Sequence, residues 1–361
     1  MRIAFYAPLK APHHPVPSGD RQMARLLIEA LEQSGHSVET VSDLRAYCAT
    51  PDDAHYAALS IKADAEIQRL RTLWSQVRAP DLWFTYHPYY KAPDLLGPRL
   101  AKEAGIPYVT AEASHSKRRD EGVWRQTQDS IVEAVRGAAA NLCFTERDRR
   151  GLEIAAPDAR LLRFSPFIKP VILPRERHRE VPRLVTVAMM RAGDKLESYR
   201  MLAASLTRLM HRQWVLTVVG CGAAEPGVRE ALDGIAAERI HWLGEVEPEE
   251  VPFLLSRADI YVWPGYGEAY GLAYLEAGAA ALPVVAQRVA GVPEVVREGE
   301  TALLTEPGDV DAFAAAIDRL LRDAELRESM GRRGRAFVTG ERSLNAAAGR
   351  LSAVLSEVAV A

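Results

Sequence analysis

The chain alternates apolar segments of strand length with longer helical segments, and it does so twice. The first series starts at Arg2 to Ala7, and the second starts at Leu184 to Ala188. Four prolines cluster between them, within residues 164–183, and such a composition marks a linker. Regular alternation of strand and helix favours parallel sheets with helices on both faces. The sequence therefore predicts an α/β chain with two doubly wound, Rossmann-like domains.

Composition excludes several classes of protein. The 361 residues are 48% hydrophobic, which is enough for two cores, and the net charge of -3 gives no general attraction to nucleic acid. The three cysteines lack metal-ligand spacing, which fits a reducing cytosol and argues against a zinc site. No apolar run has the length of a membrane span. We therefore expect a cytoplasmic protein that does not bind nucleic acid.

Residues 264–276 carry two glutamates around a glycine-containing turn. The run Ile260 to Trp263 predicts a buried strand, and Gly271 to Ala281 predicts a helix. Glu268 then lies in the loop and Glu276 lies two helical turns further on. Backbone N–H groups at the helix N-terminus would favour an anion such as a phosphate. The residues that supply these groups are Ala269, Tyr270, Gly271 and Leu272.

Three interpretations of the two glutamates differ in chemistry. If both were helical, eight residues would separate them by roughly 12 Å, more than the roughly 5 to 9.5 Å of glycosidase carboxylate pairs. A two-carboxylate hydrolase is therefore disfavoured. The second interpretation has Glu268 and Glu276 accept hydrogen bonds from hydroxyls on opposite sides of a diphosphate. In the third, both are solvated surface side chains.

The order of motifs around this turn resembles the retaining glycosyltransferases of family 4. The resemblance covers about Arg183 to Asp323 and includes the glutamate pair, the loop Gly291 to Glu294 and the segment Leu243 to Val246. It implies the glycosyltransferase B fold, which consists of two facing Rossmann-like domains. The last helix of that fold crosses back to the first domain. We accordingly predict domains of residues 1–165 plus 341–361 and 183–340, with a linker of residues 166–182.

The resemblance also implies roles for residues of the second domain. Glu276 would hold the ribose hydroxyls and Glu268 the sugar hydroxyls of a nucleotide-sugar donor, linked to UDP or GDP. Arg191 and Lys195, in the loop after the first strand of this domain, would hold the diphosphate. The backbone of 269–272 and Val246 would complete the donor site. The implied reaction is sugar transfer to a glycan, a lipid-linked or a small-molecule acceptor, with retention of configuration and with no metal or other cofactor.

The first domain departs from the family pattern. A family histidine that meets the transferred sugar after the fourth strand is replaced here by Glu112, and His115 follows three residues later. Either residue is a candidate for that contact, and we favour Glu112 because it directly follows the strand. His87, at the end of the preceding strand, is a further candidate. In the first loop, Gly19 would let the backbone approach a ligand, although helix capping alone also explains this segment.

The sequence leaves two alternative functions, and it leaves two interpretations of one basic surface. A nucleotide-sugar epimerase has a similar fold but needs no acceptor, and a noncatalytic protein would bind the nucleotide sugar without turnover. A basic run near the Glu112 loop would suit an anionic acceptor or a lipid surface, which leaves peripheral membrane contact open, or it is a solvated face. The run consists of Lys117, Arg118, Arg119 and Arg125.

Overall fold

The structure, a computed structural model, describes residues 1–16, 18–175 and 181–359. The chain divides into two compact units, Met1–Ser165 with Leu344–Ala361, and Pro166–Ser343. The predicted linker 166–182 is therefore part of the second unit, and its residues 176–180 lie outside the described residues. The chain returns to the first unit at Leu344, three residues after the boundary predicted at 341.

The first unit contains a six-stranded parallel sheet in the order β2-β1-β3-β4-β5-β6. Its strands are β1 (Arg2–Tyr6), β2 (Ser37–Thr40), β3 (Leu82–Tyr86), β4 (Tyr108–Ala111), β5 (Ala140–Cys143) and β6 (Leu161–Arg163). The central strands β3, β4 and β5 are buried along their whole length, because helices cover both faces of the sheet.

Five helices of the first unit precede Ser165: α1 (Gly19–Gln33), α2 (Asp53–Gln76), α3 (Gly97–Ala104), α4 (Val123–Gly137) and α5 (Glu146–Ala155). The sequence pattern did not predict α5 or β6, because the polar run from Glu146 to Arg150 has no apolar period. Local interactions support this helix instead. Thr145 caps it by accepting a hydrogen bond from the Asp148 N–H, and Glu146 pairs with Arg149 and Arg150 at 2.9 Å each.

The second unit has its own six-stranded parallel sheet, in the order β12-β11-β10-β7-β8-β9. Its strands are β7 (Arg183–Val187), β8 (Val215–Val219), β9 (Ile240–Gly244), β10 (Ile260–Val262), β11 (Val284–Gln287) and β12 (Ala302–Thr305). Its helices are α6 (Asp194–Thr207), α7 (Glu225–Leu232), α8 (Val251–Ser256), α9 (Leu272–Ala279), α10 (Val292–Val295), α11 (Val310–Arg322) and α12 (Ala324–Glu341). The prediction of two doubly wound parallel sheets is confirmed.

Each sheet has one point at which the chain reverses the direction of strand addition. In the first unit, β1 is followed by β2 on one side and β3 on the other, and in the second unit β7 lies between β8 and β10. Loops that leave neighbouring strands in opposite directions at such a point open a crevice at the carboxyl ends of the strands. Ligands of open α/β sheets bind in this crevice. The two switch points, β1/β3 and β7/β10, are therefore where functional residues are expected.

The last helix, α13 (Leu344–Val358), packs on α1 in the first unit, as expected for a helix that crosses back. Its inward residues Leu344, Leu351 and Leu355 are buried. Two hydrogen bonds fix the register: the Ser34 hydroxyl donates to the Ala348 carbonyl at 2.8 Å, and the Gln33 amide donates to Asn345 at 2.8 Å. Within the described residues, none of the helices is both long enough and apolar enough to span a bilayer.

Candidate active site

Three glycines in left-handed backbone shape the turn that follows β10. Gly265, Gly267 and Gly271 have φ values of 79°, 64° and 78°, a region that residues with a Cβ enter at a cost of roughly 1–2 kcal/mol. Close approach excludes a side chain as well. A Cβ at Gly265 or Gly271 would collide with the Tyr274 ring, and a Cβ at Gly267 would collide with the Asp194 carboxylate. This turn therefore requires glycine on both grounds.

Buried polar side chains on α6 and β11 form hydrogen bonds with the same turn. The Ser198 hydroxyl of α6 accepts a hydrogen bond from the Tyr266 N–H at 2.9 Å. The Gln287 side chain at the end of β11 donates to the Pro264 carbonyl at 3.2 Å and accepts from the Gly308 N–H at 2.5 Å. Ser198 and Gln287 are fully buried. The turn is thus held from two sides, which fixes the position of the residue that follows it, Glu268.

Glu268 and Lys195 form an ion pair at the β7/β10 switch point. Lys195 belongs to the first turn of α6, and its ammonium group pairs with the Glu268 carboxylate. The Trp263 indole N–H donates to the same carboxylate at 3.0 Å, and the ammonium lies 5.5 Å from the centre of the Trp263 ring. The side chain of Lys195 is 29% exposed, and that of Glu268 is 17% exposed. A carboxylate and a cation, both reachable from solvent, are therefore oriented by one indole.

Glu276 lies at the same edge of the sheet. It is half-buried in the second turn of α9. Burial raises the pKa of the Tyr261 hydroxyl well above its usual value, and Glu268 and Glu276 raise it further. That hydroxyl donates to the Val187 carbonyl at the end of β7, at 3.3 Å. Both predicted glutamates therefore act electrostatically on one phenol, whose hydroxyl lies at the end of β7.

The other residues predicted for the donor site lie at several different positions in the second unit. Arg191 is exposed just before α6. The helix α9 begins at Leu272 with Gly271 as its N-cap, so Ala269 and Tyr270 belong to the preceding turn and not to the helix end. Of the four residues predicted to present N–H groups at this end, Gly271 and Leu272 lie at the start of the helix. Val246 is half-buried after β9, an edge strand two positions away from β7.

A second group of ionisable side chains lies at the β1/β3 switch point. His87 follows β3 and pairs with Asp20, in the first turn of α1, with 3.0 Å between Nδ1 and Oδ1. Glu112 follows the adjacent strand β4 and is 5% exposed. The register pairs Tyr86 with Ala111, so His87 and Glu112 occupy equivalent positions at the two strand ends. Both have a φ of 58°, although neither is glycine.

The charged side chains of this group shift one another's pKa values. Burial raises the pKa of Glu112 to about 7 against the opposing effect of His87. Burial lowers the pKa of His87, but Glu112 and Asp20 outweigh that effect and hold it at about 9. The hydrogen bond from His87 lowers the pKa of Asp20, although burial opposes it. Near neutral pH the group therefore contains an imidazolium, an ionised Asp20 and a carboxyl group at Glu112 that can change charge.

The structure separates the two candidates that follow β4. His115 is half-buried further along the loop, and burial lowers its pKa. It is not part of the Asp20, His87 and Glu112 group. Gly19 is the first residue of α1, whose N-cap Ser18 accepts from the Arg21 N–H at 3.2 Å, and the space where its Cβ would lie is empty. Pro17, in the same loop, lies outside the described residues.

No three histidine, cysteine, aspartate or glutamate side chains in the described part of the chain come together as ligands for a metal ion. The basic run forms an exposed 3-10 turn at Lys117–Arg119, and the nearby Arg125 lies 3.6 Å from Asp120. Lys117, Arg118 and Arg119 lie in the segment before α4, Arg125 lies in the first turn of α4, and all four side chains are exposed.

Sequence reasoning missed the residues that orient the site. Trp263 was assigned only to a strand, although a buried indole N–H normally needs a hydrogen-bond partner and the next acidic residue is Glu268. Asp194 and Ser198 looked like ordinary helix residues. The Asp20 and His87 pair spans 67 positions, and only the order of strands in the sheet brings these residues together.

Comparison with known proteins finds a family model that matches part of the second unit. Residues 181–323 match the family model described as glycosyl transferases group 1. Over 216 residues, 57% of this chain, the sequence is 29% identical to a D-inositol 3-phosphate glycosyltransferase of Corynebacterium jeikeium. The chain spans about half the length of that relative, 50%. It is 28% identical to an alpha-D-kanosaminyltransferase of Streptomyces kanamyceticus, over 72% of each chain.

Among solved structures, HepE from Anabaena in complex with UDP is similar over nearly the whole chain. The match has a TM-score of 0.72 at 14% identity and covers 99% of this chain and 100% of HepE. At this identity the match shows the fold alone. The predicted glycosyltransferase B fold is thereby confirmed, and the match of residues 181–323 to the glycosyl transferases group 1 model bears out the resemblance on which it was based.

Proposed function

We propose that this chain, a member of the glycosyl transferases group 1 family through residues 181–323, transfers a sugar from a nucleotide-sugar donor to a hydroxylated acceptor. The donor is a UDP- or GDP-linked sugar, and the anomeric configuration is retained. The observation that carries the proposal is the ion pair of Lys195 with Glu268 at the β7/β10 switch point, oriented by Trp263.

In this proposal the two charges of the ion pair bind different parts of the donor. Lys195, together with Arg191 and the N-terminus of α9, neutralises the diphosphate. Glu268 stays bonded to Trp263 and accepts hydrogen bonds from the sugar hydroxyls, while Glu276 accepts them from the ribose. Donor binding therefore separates Lys195 from Glu268. Because the donor supplies new charged partners to both side chains, the loss of the ion pair is offset.

Bond cleavage then leaves charge where the cations are. The bond from the anomeric carbon to the diphosphate oxygen breaks, and the negative charge on the diphosphate grows. Lys195 and Arg191, with the oriented N–H groups of α9, stabilise that charge more than they stabilise the bound donor. This positive environment removes the need for a divalent cation. The acceptor hydroxyl oxygen attacks the anomeric carbon from the face that the diphosphate leaves and gives its proton to the departing diphosphate oxygen, so the configuration is retained.

Thermal shift with a panel of UDP- and GDP-linked sugars tests donor binding. A true donor at 100 times its dissociation constant stabilises the chain by roughly 2.7 kcal/mol. Mass spectrometry of a mixture with candidate acceptors should then show a glycoside and the free nucleoside diphosphate. Conversion of the donor to another nucleotide sugar without any acceptor would instead identify an epimerase. Binding without turnover of any kind would identify a noncatalytic protein.

The variant Glu276→Gln assigns the ribose contact. An amide is a weaker acceptor than a carboxylate, and a hydrogen bond to a charged group contributes about 1.5–3 kcal/mol. We expect nucleotide affinity to fall by about 10-fold or more with the fold intact. The matched control is Glu230→Gln, an exposed glutamate on α7 in the same unit. Equal calorimetric affinities for the wild type and Glu276→Gln would remove Glu276 from the site.

A further inference from the structure

The indole of Trp263 has a fixed orientation in the second unit. Trp263 directly follows β10 and is 2% exposed. The Tyr199 ring of α6 packs edge-on against it, with 4.9 Å between the ring centres and 71° between the ring planes. The Trp263 carbonyl accepts a hydrogen bond from the Tyr274 hydroxyl at 3.1 Å, and the backbone N–H donates to the Val285 carbonyl at 3.0 Å. The surrounding structure therefore sets the direction in which the indole N–H points.

Both donors to the Glu268 carboxylate use the same oxygen. The Trp263 indole N–H donates to Oε1 at 3.0 Å, and the Lys195 ammonium donates to Oε1 as well. Within the part of the chain that the structure describes, no group donates to Oε2. Since the side chain is partly exposed, Oε2 is the oxygen available to a hydroxyl of a ligand.

The two partners of the ion pair differ in freedom of movement. The Glu268 N–H donates to the Gly265 carbonyl at 3.1 Å, inside the turn whose backbone is left-handed at Gly265 and Gly267. Lys195 carries its ammonium on a flexible four-carbon chain that starts in the first turn of α6. When a diphosphate attracts this ammonium, the carboxylate therefore stays where the turn and the indole hold it.

A carboxylate that keeps its position but loses its cation needs new hydrogen-bond donors. Taking one partner from a partly buried ion pair is unfavourable, because the other charge is left uncompensated. The sugar of an intact nucleotide sugar brings hydroxyl groups that donate to Glu268. A free nucleoside diphosphate attracts Lys195 in the same way but has no sugar to donate to Glu268. The two ligands therefore differ in whether they compensate both halves of the pair.

We propose that Trp263 is a positioning residue that makes this site discriminate an intact nucleotide sugar from the free nucleoside diphosphate. By holding the Glu268 carboxylate in place, the indole ensures that only a ligand with both a diphosphate and sugar hydroxyls compensates the opened pair with Lys195. The nucleoside diphosphate is the product of the proposed transfer, so the same arrangement favours its release and its replacement by new donor. The inference rests on the proposed transferase function and adds a selectivity between the substrate and the product of one site.

Calorimetry with matched ligands measures this selectivity. The donor found by thermal shift is compared with its own nucleoside diphosphate, UDP or GDP, without an acceptor. We expect the wild type to bind the nucleotide sugar at least about 10-fold more tightly than the diphosphate, because only the sugar compensates Glu268. Equal affinities, or tighter binding of the diphosphate, overturn the inference. A chain that binds no nucleotide sugar of the panel fails the proposed function itself.

The variant Trp263→Phe keeps an aromatic ring and removes the N–H. The released carboxylate of Glu268 can then turn to solvent or move with Lys195. We expect the diphosphate to bind more tightly, the donor to bind more weakly and the ratio of the two affinities to fall below about 3-fold. An unchanged ratio in this variant would contradict the role of the indole.

The matched control is Trp214→Phe. Trp214 is a buried tryptophan of the same unit, it precedes β8, and its indole N–H donates to the Leu209 carbonyl at 2.9 Å. Loss of this N–H removes a buried hydrogen bond but leaves the ion pair unchanged, so the control should keep the wild-type ratio. A ratio that falls equally in Trp214→Phe and Trp263→Phe would attribute the effect to general loosening of the unit.

The variant Glu268→Ala shows whether Trp263 acts through the carboxylate. Adding Trp263→Phe to it should change the ratio by less than about twofold, because no carboxylate remains to be held. Equal effects of Trp263→Phe with and without Glu268 would mean that the indole only stabilises the fold. Glu268→Ala alone should bind the diphosphate more tightly than the wild type does, since Lys195 has lost its competing partner. Weaker binding of the diphosphate by this variant overturns the inference, even if Trp263→Phe does not fold.

Discussion

The two switch points hold their charges differently. At β7/β10, one cation and one carboxylate, Lys195 and Glu268, pair with each other around Trp263. At β1/β3, the imidazolium of His87 is shared between Asp20 and Glu112, with Asp148 nearby. The first arrangement separates into a cation for a diphosphate and an acceptor for hydroxyls. In the second, one imidazolium is surrounded by several carboxyl groups, and Glu112 has a pKa raised to about 7, so this group can change its charge near neutral pH.

The contrast shows where specificity resides in such a chain. Residues 181–323 of the second unit match the family model, and we propose that its site binds a sugar on a nucleoside diphosphate. The first unit lies outside residues 181–323. There the strand order supplies the crevice, but the side chains at the strand ends decide which molecule enters. Similar folds therefore leave the acceptor undetermined until those side chains are examined.

The largest effect that the comparison predicts is for Glu268→Gln. Loss of a charged acceptor costs about 1.5–3 kcal/mol, and Lys195 loses its partner, so we expect kcat/KM to fall by about 100-fold. The control Glu197→Gln lies on α6 and breaks only an exposed pair with Arg200, which contributes at most about 1 kcal/mol. Steady-state kinetics at saturating acceptor measure both variants. Equal loss in the two variants would mean that the buried pair has no special role.

The turn after β10 gives the next largest effect, on stability. Gly267→Ala should destabilise the chain by about 2–4 kcal/mol, because left-handed backbone costs roughly 1–2 kcal/mol and the new Cβ meets Asp194. The control Gly299→Ala has a similar φ of 74° but nothing within 4 Å of its Cβ, so it should cost only the backbone part. Urea unfolding of both variants separates the two contributions, and equal costs would show that the contact with Asp194 adjusts freely.

The sequence predicted the second site better than the first for a physical reason. Glu268, Gly271 and Glu276 lie within nine consecutive residues, so local pattern and family resemblance were sufficient to propose them as site residues. The Asp20 and His87 contact depends on which strands are neighbours in the sheet. A strand order of 2-1-3 cannot be derived from alternation alone, and thus the pair became visible only in the fold.

The sequence also failed to predict α5 and β6, and the reason is similar. The helix α5 depends on Thr145 as its cap and on charge pairs, and its sequence has few apolar residues. Without an apolar period, the pattern that identified the other helices of the first unit was absent. Since Asp148 on this helix acts on both His87 and Glu112, missing α5 also concealed part of the first site.

The first switch point should also show a pH-dependent stability. Folding raises the pKa of His87 from 6.5 to about 9, so the folded state binds its proton more tightly than the unfolded state. This stabilisation is complete below pH 6.5 and is lost as pH rises through about 9, with a size of about 3 kcal/mol. Glu112 acts in the same sense at lower pH: its pKa is raised from 4.5 to about 7, so stability also falls as pH rises from about 4.5 to about 7.

His87→Asn tests this dependence, since asparagine tolerates left-handed backbone. Its melting temperature should change less between pH 6.5 and 9 than that of the wild type. The control His211→Asn replaces an exposed histidine of the second unit and should behave like the wild type. Parallel melting curves for wild type and His87→Asn would show that the imidazolium contributes nothing to the folded state.

The smallest effect is predicted for a chelator. If Lys195, Arg191 and the N-terminus of α9 supply the positive charge on the diphosphate, no divalent ion is needed there. We expect EDTA to change kcat by less than about twofold, in the wild type and in Glu197→Gln alike. Lys195→Ala sharpens the test, because added magnesium should restore part of its activity if charge on the diphosphate is what the variant lacks. Wild-type activity that disappears with EDTA and returns with magnesium or manganese would contradict the metal-free site, and the second switch point would then need a cation to bind its phosphate.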